Sequence, residues 1–220
     1  AGWRALAVAL YASPVIVRGA GSRGVAQHPL VAAHPQADKA ICIVITSDKG
    51  LAGGPNAAVL KYALQDIKQS GLAAEDNKIV AIGKKAGDFF TVRKYHVVNS
   101  RANTPDISTA AIADLIALVQ ERYASGEYRF VKVIYQNSVS TFEQRPTLRT
   151  IFPLSIEELQ KVVNDIVPAR GTYARNDEQV APGTYTIEPS EEEVLSAILP
   201  RLAGVFLYHA LLESQASEHS

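Results

Sequence analysis

The stretch KAICIVIT, residues 39–46, limits the possible folds of this chain more than any other. It is a nearly unbroken apolar, β-branched run with no alternation of polar residues. A strand with one wet face alternates with a period of two. An unbroken run of this length belongs to a strand covered on both faces. Helices on both sides of a mostly parallel sheet provide that cover, so the run predicts an α/β architecture. The glycine-rich stretch SDKGLAGGPN, residues 47–56, follows directly and leads into a helical pattern. Its glycines are expected to permit positive φ in a tight strand-to-helix turn. Asn56 is expected to cap the helix, and Val59, Leu60, Ala63, Leu64 and Ile67 to form its inner face before Gly71 ends it.

The remaining pattern repeats this unit. KIVAIG (78–83) and YHVVN (95–99) read as strands, with KKAGDFFTVR between them as a short helix anchored by Phe89 and Phe90. Residues 107–124 carry Ile107, Ala111, Leu115, Leu118 and Val119 at helical spacing. FVKVIYQN (130–137) alternates as a strand, and a second extended piece spans about 143–154 around Pro146. The expected fold is a Rossmann-like sheet of about five strands, largely parallel and flanked by helices. The last two strands have no helix between them, so they are expected to pair as an antiparallel hairpin at one edge. Residues 155–189 mix a short helix (SIEELQKVVNDIV), a polar loop and the extended piece YTIEP.

Both ends carry helical patterns. Trp3, Leu6, Ala7 and Leu10 fall on one side of a short helix stopped near Pro14, and residues 13–38 read as a long connection. This helix fits better than a signal peptide, because the segment has a single Arg and no initiating Met. Ser190 and Glu193 form a capping-box pattern at the head of a helix over 190–220, where Glu191 and Glu192 suit the positive helix start. Val194, Ile198, Leu202, Val205 and Leu212 give that helix an apolar stripe, and Pro200 inside it is expected to bend it. Three parts follow: a helix stub and connection over 1–30, an α/β domain over 36–189, and a terminal helix over 190–220.

Chemistry is sparse. The formal GxGxxG at Gly19, Gly21 and Gly24 is followed by Pro29 and Pro35, which interrupt the helix a dinucleotide site needs, so it reads as a flexible connection. GLAGGPN is not a P-loop, since Pro55, Asn56 and Ala57 stand where Gly, Lys and a hydroxyl residue would be required. An anion resting on the helix start at Gly53–Asn56 remains the alternative reading. His28, His34, His96, His209 and His219 lack metal-ligand spacing, and no GxSxG elbow occurs. The expectation is therefore no catalytic residue, no cofactor and no metal. Lys+Arg and Asp+Glu each number 22, so nothing in the balance points to nucleic acid. The single cysteine, Cys42, lies in the apolar run and reads as a small buried hydrophobe. No apolar run reaches the length of a membrane-spanning helix.

A helix of some thirty residues is longer than a sheet of this size needs for cover, which points to a helix that protrudes and packs on another helix. VITSDKGLAGGPNAAVLK, GKKAGDFF and VIYQNSVSTFEQRPTLRTIFPL resemble, in order, segments of the gamma subunit family of F-type ATP synthases. The end of the chain is similar to the start of the family's long C-terminal helix, with Glu213, Ser214, Ser217, Glu218 and His219 in its Glu-Ser-x-x-Ser-Glu-His pattern. Ala52 stands where the family has Cys, and Pro55 where it has an aromatic residue. The resemblance implies a rotor whose N- and C-terminal helices form an antiparallel coiled coil, both shortened here. It implies alpha and beta subunits, an epsilon-type subunit and a membrane c-ring as partners, and a peripheral position on the coupling membrane, on its cytoplasmic (bacterial) or equivalent organellar face. Catalysis would remain with the partner subunits. By the same resemblance Asp48, Lys49, Leu51, Asn56, Glu213, Ser217, Glu218 and His219 are candidate partner contacts.

Overall fold

The computed structural model describes residues 27–48, 53–105, 107–140, 142–155, 157 and 191–218. β1 (Lys39–Ile45) is buried from its second residue to its last and occupies the centre of a five-stranded sheet. This is the consequence expected of its unbroken apolar run. β2 (Asn77–Ile82), β3 (His96–Arg101), β4 (Tyr128–Ser140) and β5 (Glu143–Phe152) complete the order β3-β2-β1-β4-β5. β1 pairs in parallel with β2 and β4, and β2 with β3, while β4 and β5 form the antiparallel edge hairpin.

Among the described residues four α-helices cover the sheet: α1 (Gly53–Gln69), α2 (Lys84–Val92), α3 (Thr109–Ala124) and α4 (Glu191–Glu218). α1 and α2 pack on Cys42, Val44, Ile79, Ala81 and Ile134. α3 and α4 pack on the opposite face, on Ile41, Ile43, Ile45, Val80, Ile82, Val131, Val133 and Tyr135. The side chains of β1 thus alternate between two cores, as a period of two requires. Val59, Leu60, Ala63 and Ile67 are buried as expected of the inner face of α1, and Gly71 follows its end with φ 73°. Phe90 is fully buried at the heart of α2, while Phe89 is half-buried with the Arg93 guanidinium over its ring.

Three expectations need correction. Asn56 does not cap α1. The helix opens at Gly53, which puts Asn56 in its first turn, where its side chain is bonded to Ser47. Of the glycines in that turn, Gly50 lies outside the described residues, and positive φ is not found at Gly54, which lies inside the helix; the glycine that the rim of the sheet requires is Gly83, with φ 100°. A Cβ there would stand 2.1 Å from the Thr46 carbonyl oxygen. The terminal helix, expected to protrude, does not do so over its middle part. From Leu199 to Leu211 it lies on its own domain, and Leu202, Ala203, Gly204, Val205, Phe206 and Leu207 are all buried in succession. A helix buried on consecutive residues is surrounded rather than covered on one stripe. The expected N-terminal helix, the GxGxxG segment, most of 155–189 and the Ser190 cap lie outside the described residues, and so does the partner helix of a coiled coil.

Candidate functional site at the carboxyl rim of the sheet

Parallel strands that end together leave their carboxyl ends open, which is where α/β sheets gather functional side chains. Here β1 ends at Ile45 and its extension, Thr46, runs on beside β2. The Thr46 N–H donates to the Ile82 carbonyl at 2.8 Å, and the Thr46 hydroxyl accepts from the Ala86 N–H at 3.0 Å. The Gly83 N–H donates to the Arg101 carbonyl at 2.8 Å, tying in the end of β3. Close approach of these backbones is possible because residue 83 has no side chain.

Asp48 draws three segments together. One carboxylate oxygen accepts from the Lys84 N–H at 2.8 Å, at the start of α2, and the other accepts from the Asn103 N–H at 3.0 Å. A carboxylate is favoured there by the orphan N–H groups and partial positive charge of the helix start. Both oxygens hold backbone donors, so the arrangement organises loops. Nearby, the Ser47 N–H donates to Asn56 Oδ1 at 3.1 Å, and Asn56 Nδ2 donates to Ser47 Oγ at 2.8 Å. This reciprocal pair fixes where α1 begins relative to β1.

Asn103 links this cluster to the terminal helix. Its Nδ2 donates to the Thr46 carbonyl at 2.8 Å and, at a longer 3.5 Å, to Glu218 Oε1. One residue on, the Thr104 carbonyl accepts from Gln215 Nε2 at 3.0 Å. From the β4–β5 side, Gln144 Nε2 donates to the Ser217 carbonyl at 2.9 Å, and Ser217 Oγ lies within donating distance of the carbonyls of Gln136 (3.3 Å) and Glu213 (2.9 Å). Gln136 stands opposite Pro146 in the ladder, a residue that brings no N–H.

Of the residues singled out in the sequence, Asp48, Asn56, Ser217 and Glu218 thus meet on one rim. Ser217 is buried and bonded within the chain, and Glu218 is exposed. Glu213 is partly buried, one turn from His209, with 3.9 Å between its carboxylate and His209 Nε2. Lys49, Leu51 and His219 lie outside the described residues. Asn103, Gln136, Gln144 and Gln215 are singled out by no motif in the sequence. The available signal was a polar residue just after a predicted strand end (Asn103) and polar interruptions within otherwise apolar segments. Cys42 takes no part in this rim: burial pushes its thiol up to about 12, aided by Asp66 and opposed by Lys132. A thiol so placed stays protonated and unreactive.

A family-wide sequence profile described as ATP synthase matches residues 7–220. The ATP synthase gamma chain of Staphylococcus saprophyticus is 32% identical over 204 residues, covering 91% of this chain and 64% of the relative. That of Pelotomaculum thermopropionicum is 30% identical over 207 residues, covering 94% of this chain and 66% of the relative. The chain therefore spans a little under two thirds of the length of these curated relatives. Among solved structures, the central stalk and c-ring of the Tetrahymena thermophila mitochondrial ATP synthase contains a chain that aligns with a TM-score of 0.59 at 18% identity, over 99% of this chain and 92% of that one. The rotor of the Euglena gracilis mitochondrial ATP synthase gives 0.55 at 16% identity, over 98% and 79%. At such identities the likeness is one of fold.

Proposed function

Because the chain belongs to the family of ATP synthase gamma chains, we propose that it serves as the central-stalk rotor of an F-type ATP synthase. In this reading, turning of a membrane c-ring is passed through the sheet domain to a helical shaft. The asymmetric shaft then drives the catalytic sites of an alpha/beta hexamer through successive affinities. The chemistry belongs to those partners, and the chain itself is not an enzyme. The shaft is an antiparallel coiled coil of α4 with a helix from the first residues of the chain. An epsilon-type subunit contacts the sheet domain. The complex is peripheral to the coupling membrane, on its cytoplasmic (bacterial) or equivalent organellar face. Among the described residues no helix is long and apolar enough to cross a membrane.

The observation that carries this reading is the family match across residues 7–220. Contacts with the alpha and beta subunits are assigned to the turn bearing Asp48, Lys49, Leu51 and Asn56 and to the helix end bearing Glu213, Ser217, Glu218 and His219. The alternative, an anion held at the Gly53–Asn56 helix start, draws no support from Asn56, whose amide is bonded to Ser47. Co-expression with alpha and beta subunits tests the rotor reading. The expected result is a stable complex with one copy of this chain. An isolated chain that binds ATP with micromolar affinity in calorimetry would count against it.

A further inference from the structure

The rotor reading leaves open how torque crosses from the sheet domain to the helix, and we propose that residues 215–218 of α4 form that joint, held by Asn103 and Gln144 as positioning residues. The inference rests on the rotor reading and on three bonds that converge on residues 215–218. They are Gln215 to the Thr104 carbonyl, Asn103 to Glu218, and Gln144 to the Ser217 carbonyl, while the one proton of Ser217 Oγ is closer to the Glu213 carbonyl of its own helix (2.9 Å) than to the Gln136 carbonyl (3.3 Å).

Apolar packing alone makes a poor joint. The stretch from Leu199 to Leu211 meets its domain through apolar side chains. Hydrophobic attraction is non-directional, and ridges fit grooves in more than one arrangement, so such a surface resists separation better than rolling. Hydrogen bonds weaken steeply with angle and length and therefore oppose small rotations. Their placement matters as much as their number. At about 100° per residue, the side chains of Gln215 and Glu218 share one flank of the helix, and that of Ser217 lies about 130° around from their midline. The first flank is held by the segment after β3, the second by β5. Rolling the helix either way stretches one set.

Each anchor is itself fixed. Asn103 is held by Asp48 through its N–H and by Thr46 through its side chain, so it is attached to the end of the central strand. Gln144 belongs to β5, which is paired along its length with β4. The turn predicted from the sequence as a partner contact and the end of the terminal helix are therefore one mechanical unit, with Asn103 as the link.

The test uses the full-length protein assembled with its alpha and beta subunits, with the stator fixed and a rod attached to the sheet domain. The double variant Gln144→Glu/Gln215→Glu keeps the side-chain bulk and removes both amide donors. Among rotating molecules, the variance of rod angle within a dwell is expected to rise at least twofold. Unchanged variance in the variant would overturn the joint and leave the rotor reading standing. A wild-type chain that fails to assemble would overturn the rotor reading and the joint's role in torque with it. A second measurement needs no partner: amide exchange at residues 213–218 of the isolated chain. Asn103→Asp, nearly isosteric and without the Nδ2 donor, is expected to speed exchange there at least tenfold. Exchange equal to wild type would show that the bonds do not hold the helix end.

Discussion

The two faces of the sheet solve the same packing problem with different materials. On the face under α3 and α4 the core holds Tyr123, Tyr135, Phe152 and Phe206, with Ile, Leu and Val between them. On the face under α1 and α2 the core is smaller; beside Cys42, Ala63, Ala81 and Ala86, Phe90 is the one fully buried ring among the described residues, with Phe89 and Tyr95 partly buried against it. This second face also tolerates charge: Lys132 reaches Asp66 at 3.2 Å, with side chains 18% and 23% exposed. The Lys132 ammonium lies 4.0 Å from the centre of the Phe130 ring as well. The difference teaches where stability is concentrated. Apolar area scales with side-chain size, so most of the hydrophobic stabilisation sits on the face that carries the terminal helix.

The contrast can be broken by experiment, beginning with the largest effect. Phe206→Ala should destabilise the fold by about 3–5 kcal/mol, because a fully buried ring is replaced by a cavity. Urea unfolding measures this, and a loss below about 1 kcal/mol would mean that α4 is not part of the folded core. Gly83→Ala, at the rim where both faces end, should cost about 2–4 kcal/mol. The added Cβ meets the Thr46 carbonyl and the backbone stays at positive φ. A variant with wild-type thermal stability would show that the rim yields easily. Leu60→Ala, on the smaller face, should cost about 2 kcal/mol, less than Phe206→Ala. Equal losses would erase the distinction between the faces.

The smaller face also predicts a response to pH. Folding holds the Cys42 thiol neutral, raising it from 9.0 to about 12 through burial first and Asp66 second. The native state therefore keeps a proton that the unfolded chain has lost. The contribution is complete below pH 9 and declines by about 1.4 kcal/mol per pH unit on the way to 12. Cys42→Ala should flatten that part of the stability profile, and parallel profiles would assign the slope to other groups. The smallest effect belongs to the ion pair: Asp66→Asn should cost less than about 1 kcal/mol, since both partners keep some water. A loss of several kcal/mol would mark the smaller face as dependent on its charges.

How much of this was readable in advance varies from residue to residue. β1 was readable because its apolar run suits only a strand buried on both sides. The β4–β5 hairpin was readable from two strand patterns with no helix between them. α1 was placed correctly on its inner face but not at its start. Asn56 has the chemistry of a cap, and only the position of Ser47 in space decided that its amide would turn to that residue instead. Gly83 was read as the end of a strand, although its need for glycine comes from Thr46, 37 positions earlier in the chain. At the rim, Asp48, Ser217 and Glu218 were found through resemblance to a family. Asn103 was missed because nothing local distinguishes it from any polar loop residue.

Local pattern by itself determined the elements, their order and the α/β class, because periodicity and turn chemistry act over a few residues. It also determined that the central strand would divide its side chains between two cores. Only the tertiary structure decided that the terminal helix would lie on its own sheet along much of its length, and that Asp48 and Glu218 would meet across Asn103. Those outcomes depend on groups far apart in the chain brought within hydrogen-bonding distance. No local propensity encodes such a distance until the sheet has formed and set its strands side by side.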